Sequence, residues 1–144
     1  MKNNKKIKIH VKNNHWAPGS FPTDAEGEKN FTITKEHLDE ALKNSPEIKE
    51  KVEIFVDWDE DNFKTSILNS DILLAWSFPT SDLKKVAPNL KWIHVISAGV
   101  EHLHPLDWMF DDLVLTNSSG AHAKKAGEYG LMSILMLQNH MTKI

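Results

Sequence analysis

Five short apolar runs punctuate the chain, and between them apolar residues recur at wider, near-helical intervals. The first run, residues 7 to 11 (IKIHV), follows a lysine-rich start and stops at Asn13 and Asn14, which predicts a strand leaving toward a turn. A polar segment with Pro18, Gly19 and Pro22 comes next. From Thr34 onward Leu38, Leu42 and Ile48 lie near helical spacing, with an acidic stretch after Thr34 suited to a helix start and Pro46 as a break or kink. Residues 52 to 56 (VEIFV) predict a second strand, and the acidic run from Asp57 to Asp61 leads into a short helix through Leu68. Residues 71 to 76 (DILLAW) read as a third strand, apolar enough to be covered on both faces. In the segment TSDLKKVAPN, Thr80 or Ser81 caps a helix of a few turns and Pro88 stops it. Residues 91 to 97 (KWIHVIS) form the fourth strand, Gly99 turns the chain into a short helical piece around Glu101 to Leu103, and Leu113 to Thr116 supply the fifth. Gly120 opens a last helix that runs to the end. No hairpin dipeptide such as Asn-Gly joins the strands, so the alternation predicts an α/β fold with right-handed crossovers and a doubly wound parallel sheet.

In such a sheet, ligands bind outside the carboxyl ends of the strands, where loops meet helix starts. Three loops qualify: Asn13 to Trp16, Ser77 to Thr80, and Ser97 to Val100. The last is the most informative, because a glycine at 99 lets neighbouring backbone N–H groups converge on an anion the size of a carboxylate. A tight strand-to-helix connection without a ligand accounts for the same residues. His102 and His104 flank Leu103 as a metal pair would, yet no third ligand stands at a convincing spacing, so no metal site is assigned. His94, inside a predicted strand, reads as a hydrogen-bonded core residue, and His122 stands at the start of the last helix, facing a cleft or the surface.

Composition narrows the field. At 144 residues, with 40% hydrophobic and 26% charged residues, the chain suits one folded domain. A net charge of -3 argues against a nucleic-acid footprint, and all 17 basic residues are lysines, so no arginine fork is available for a carboxylate or phosphate. Cysteine is absent, which removes thiolate chemistry and disulfides together. The longest largely apolar run, Leu131 to Leu137, is too short to cross a bilayer, and the basic opening lacks the apolar stretch of a secretory signal, so a cytoplasmic location with no membrane partner is expected.

The stretch NLKWIHVISAGVEHL, residues 89 to 103, followed by LVLTNSSGAHAKKAGEYGLMSILML, residues 113 to 137, resembles the N-terminal domain of D-isomer-specific 2-hydroxyacid dehydrogenases. Its most specific parts are the Ser-Ala-Gly-Val turn after an aromatic strand, and Thr116-Asn117 leading through Gly120 to Glu128; residues before about 70 resemble the family by topology alone. The resemblance implies a flavodoxin-like, five-stranded domain over residues 1–119, a crossover and dimerisation helix over 120–144, and a nucleotide-binding domain that this chain lacks. It implies that Ala98, Gly99 and Val100, with Ser97, offer amides to the carboxylate of a small 2-oxo or 2-hydroxy acid. Trp76, Ser77 and Phe78 would line the same cleft, with core packing as the alternative for Trp76 and Phe78. The family's histidine, arginine and dinucleotide site, for NAD or NADP, belong to the second domain. This chain has no arginine, and its glycines at 19, 27, 99, 120, 127 and 130 make no Gly-x-Gly-x-x-Gly. The expectation is a substrate-side fragment of an NAD(P)-dependent oxidoreductase, with no catalytic or cofactor-binding residue of its own and no activity alone. Tyr129, Leu131, Met132, Ile134, Leu135, Met136 and Leu137 make the last helix apolar around most of its circumference, which predicts a homodimer. The alternative is a non-catalytic flavodoxin-like binding or dimerisation module. A signalling receiver would need acids where Asn13, Asn14 and His15 stand, and a flavin carrier would need a glycine- and hydroxyl-rich loop there.

Overall fold

The computed structural model describes residues 5–16, 19, 30–60 and 62–141. Pro18 and Pro22, Asp61 of the acidic run, and the two ends of the predicted domain and helix, 1–4 and 142–144, lie outside the described residues. Five strands, β1 (Ile7–Asn13), β2 (Val52–Trp58), β3 (Ile72–Ala75), β4 (Trp92–Val95) and β5 (Val114–Asn117), form one sheet in the order β2-β1-β3-β4-β5. Every pairing is parallel. The order reverses between β1 and β3, which is the topological switch of a doubly wound sheet.

Register assigns the faces. His10 pairs with Leu73, Leu73 with Ile93 and Ile93 with Leu115, so these side chains share one side. Ile9, Ile72, Trp92 and Val114 share the other. The first side is closed by the short helices α3 (Phe63–Ile67) and α4 (Leu83–Val86), whose Phe63, Ile67 and Leu83 pack with Leu73, Ala75, Ile93 and Val95 in one core. Each such side chain contributes roughly 1.5 to 3 kcal/mol when fully removed from water. The second side is covered over β2 by α1 (Lys35–Lys43) and α2 (Pro46–Lys49), where Leu38 and Leu42 face Ile54 and Val56. Coverage stops short of the far strands, and Trp92 and Val114 stay exposed.

Local chemistry sets the helix ends. Thr34 caps α1 by accepting from the His37 N–H at 3.3 Å while its own N–H reaches His37 Nδ1 at 3.4 Å, so a histidine does what a glutamate does in the usual capping box. The helical segment is broken as expected, α1 ending at Lys43, and Pro46 starts the next helix, since a first-turn position has no hydrogen bond for proline to lose. The strands β1 and β2 run two residues beyond the predicted ends, through Lys12–Asn13 and Asp57–Trp58, because parallel partners satisfy those backbones despite polar side chains. Neither Thr80 nor Ser81 caps α4. Asp82 precedes that single turn in a left-handed conformation (φ 56°), with no side-chain cap. A left-handed glycine, Gly120 (φ 85°), lies between β5 and α5 (Ala123–Gln138), so the last helix begins three residues later than predicted.

No residue of α5 is buried. Tyr129, Leu131, Ile134 and Leu137 are each at least 60% exposed, which leaves the most apolar helix of the fold without a surface to cover among the described residues. No helix of the described residues is long and apolar enough to cross a membrane.

Candidate functional site

The turn Ser97–Val100 follows β4 at the carboxyl edge of the sheet, between the loops that follow β3 and β5. Its carbonyls are all engaged by the protein. The Ser118 N–H donates to the Ser97 carbonyl at 3.0 Å, Asn117 Nδ2 to that of Ala98 at 2.9 Å, Ser97 Oγ to that of Gly99 at 2.6 Å, and the Leu103 N–H to that of Val100 at 2.9 Å. The amides of Ala98, Gly99 and Val100 donate to no acceptor among the described residues. Backbone donors without protein partners must meet water or a ligand. Together with those of Ser97, Glu101 and His102, which likewise donate to no acceptor among the described residues, these amides leave an open seat that water or an oxygen anion can approach.

Gly99 is not held there by backbone conformation. Its backbone lies outside the left-handed region, so conformational freedom is not what the turn requires. A Cβ there would stand 2.0 Å from Oε2 of Glu101, the far end of an exposed, flexible side chain that can swing aside, so the contact does not demand glycine either. Ser97 is buried with its hydroxyl committed to the turn, Ala98 is exposed, and Val100 leans on the core.

An aromatic wall stands beside the seat. His102, two residues past the turn, donates from Nε2 to the Trp76 carbonyl at 2.8 Å, since a carbonyl can only accept, and its ring lies 6.3 Å from the Trp76 indole. Trp76 is half-buried and meets Trp16 and Phe31 edge-on, with ring centres 5.5 and 5.1 Å away. The loop after β3 is thereby fastened to the turn after β4. This role of His102 was not read from the sequence, where it appeared only as half of a metal pair; among the described residues no three metal-ligating side chains come together. Ser77 is half-buried beside Trp76 and its hydroxyl makes no hydrogen bond among the described residues. Phe78 turns the other way. It is 5% exposed, packed edge-on against Trp108 inside the core, and so belongs to the packing alternative and not to the cleft wall.

Other polar features lie apart from this seat. His94, half-buried and not in the core, bonds Thr116 Oγ1 through Nδ1 at 2.9 Å and Ser118 Oγ through Nε2 at 3.3 Å. At the carboxyl ends of β1 and β2, Asp59 holds His15 twice, through the ring Nδ1 and through the backbone N–H at 2.7 Å, and the His15 ring stacks on Trp58. Burial pushes the Asp59 carboxyl up, but the hydrogen bonds from His15 and the nearby positive charges outweigh it, leaving it below the usual carboxylate range. His122 is exposed just before α5. Two open grooves of about 420 and 430 Å³ flank α4, one reaching Asp107 and Trp108 and the other Glu60 and Phe63. Neither is lined by residues 97–100, so the amide seat is an open edge and not part of either groove.

No family model matches the chain, and no curated protein and no solved structure is significantly similar to it. The fold is flavodoxin-like.

Proposed function

We propose that the chain is a flavodoxin-like binding and dimerisation module, non-catalytic by itself, whose ligand is a small carboxylate seated on the amides of residues 98–100. The observation that carries this reading is the asymmetry of the Ser97–Val100 turn, whose four carbonyls are engaged while its four amides donate to no acceptor among the described residues. The seat is neutral, made of N–H dipoles, and suits a weakly held metabolite better than a polyphosphate, which would call for lysine or arginine forks. The unpartnered apolar surface of α5 supplies the dimerisation half of the proposal.

A more specific reading is the substrate-side domain of an NAD(P)-dependent D-2-hydroxyacid dehydrogenase, with a 2-oxo or 2-hydroxy acid as ligand. It is favoured by position: the unengaged amides include those of Ala98, Gly99 and Val100, the residues the resemblance assigns to the substrate carboxylate, with Trp76 joined to the turn through His102. The described residues at the carboxyl end of β1 do not fit a dinucleotide. The carboxyl end of β1, where a glycine-rich turn would cradle a pyrophosphate, is occupied by Asn13, whose amide bonds both the carbonyl (2.8 Å) and the N–H (2.9 Å) of Ile33. Hydride transfer is therefore assigned no step in this chain.

The test is a titration of the ¹⁵N-labelled protein with pyruvate and with D-lactate. Shifts concentrated on the amides of Ala98, Gly99 and Val100, together with the Trp76 indole, are expected, with no NADH consumed when pyruvate and NADH are mixed with the protein. Shifts centred elsewhere, on His15 and Asp59 for instance, would remove the seat from consideration, and NADH consumption would overturn the non-catalytic assignment.

A further inference from the structure

The carboxylate of Glu101, on an exposed side chain, lies against Gly99 and puts a negative charge beside the amide seat. A side-chain carbon added at Gly99 would lie 2.0 Å from Oε2, 2.8 Å from Cδ and 2.9 Å from Oε1 of Glu101, so the whole carboxylate lies against the backbone of residue 99. Oε2 is therefore within about 4 Å of the Gly99 Cα, one carbon–carbon bond further. Neither oxygen of Glu101 accepts a hydrogen bond from the amides of Ala98, Gly99 or Val100. The charge borders the seat without filling it.

From this geometry we infer that Glu101 is a specificity-determining residue, which makes the seat select monocarboxylates and reject acids bearing a second negative group. The inference rests on the binding reading above and adds the charge class of its ligand. A bound carboxylate is held by dipoles alone, for no lysine or arginine side chain bonds to the turn among the described residues. One negative group on the ligand gains N–H contacts from the turn and faces one repulsion from Glu101. A second negative group adds repulsion and gains no donor, because the carbonyls of residues 97–100 form the rest of the turn and offer none. The adjoining Trp76 indole can accept an apolar or aromatic substituent in its place. Glu101 is exposed, so its influence is screened and should weaken as salt is raised.

The decisive experiment compares wild type, Glu101→Gln and Glu101→Ala, titrated with pyruvate and with oxaloacetate and followed by the amide shifts of residues 98–100. Glutamine keeps the shape beside Gly99 and removes the charge, and an exposed position tolerates both changes. Wild type is expected to hold pyruvate more tightly than oxaloacetate by roughly threefold to tenfold at low salt, the range for exposed like charges about 5 Å apart. Both variants should close most of that gap by binding oxaloacetate more tightly, and added salt should narrow it in wild type alone. An unchanged ratio of the two affinities in the variants would overturn the role of Glu101 while leaving the seat intact. If neither acid moves the three amides in any of the proteins, the binding reading itself fails and this inference fails with it.

Discussion

The steepest response to acid should come from one residue, His10. It lies at the middle of β1 and is fully buried, with its ring 5.7 Å from that of Phe63 and 5.6 Å from that of Phe55. Neither ring nitrogen has a hydrogen-bond partner among the described residues, and Oδ2 of Asp57 is 3.9 Å away. Burial lowers the pKa of His10 from 6.5 to about 4, Asp57 opposing the shift and Lys12 adding to it. Because the folded-state value is the lower one, the unfolded chain binds more protons between those two values, and stability falls as pH drops through that window. Above about pH 6.5 the neutral ring is matched in both states and no loss occurs. The full shift corresponds to about 3 kcal/mol, lost progressively between pH 6.5 and pH 4, a sizeable share of the 5 to 15 kcal/mol typical of a domain. Urea unfolding followed by tryptophan fluorescence across that range, on wild type and on His10→Leu, measures the effect. Leucine fills a similar volume and does not titrate, so the variant should lose about 3 kcal/mol less than wild type over the window. Parallel losses in the two proteins would refute the assignment and move the acid sensitivity to the carboxylates.

Two further outcomes follow from groups without partners. Lys12 is 2% exposed, its Nζ meets no acceptor, and burial lowers its pKa against the pull of Glu60, Asp59 and Asp57; Lys12→Met should therefore stabilise the fold by about 1 to 3 kcal/mol at neutral pH, read as a higher urea midpoint, and a loss of stability would mean that those acids need the charge. Wild type should sediment as a dimer at high concentration and the double variant Leu131→Lys, Ile134→Glu as a monomer with an unchanged thermal midpoint when compared in dilute solution, because α5 buries no residue in the domain; a monomeric wild type would rule out self-association through this helix.

What the sequence revealed and what it hid divide along one physical line, the distance over which a residue's environment is decided. Strand positions, the all-parallel pairing and the helical turn at Glu101–Leu103 were legible because runs of apolar residues and the turns between them are local signals. The face of β1 was not. In KIKIHVK the alternation sets Ile7, Ile9 and Val11 against Lys8, His10 and Lys12, and reads as an apolar face turned inward with the charged face in solvent. The strand's second half is instead buried on both faces: Val11 is fully buried, and so are His10 and Lys12, which pair with Leu73 and Ala75, the two β3 residues that face α3, while Ile7 at the strand's start is 45% exposed. The partners that impose this burial stand more than fifty residues away in sequence. The same holds at the seat. Its turn was visible in Ser-Ala-Gly-Val, but its rigidity comes from Asn117, nineteen residues on, and its aromatic wall from the bond of His102 to Trp76, twenty-six residues back. Phe78 was misplaced for the same reason, as Trp108 supplies the ring that draws it into the core. A strand end marks where a ligand can approach, whereas the partners met across the fold decide which donors remain unspent for it, and at residues 98–100 those partners take every carbonyl and leave the amides.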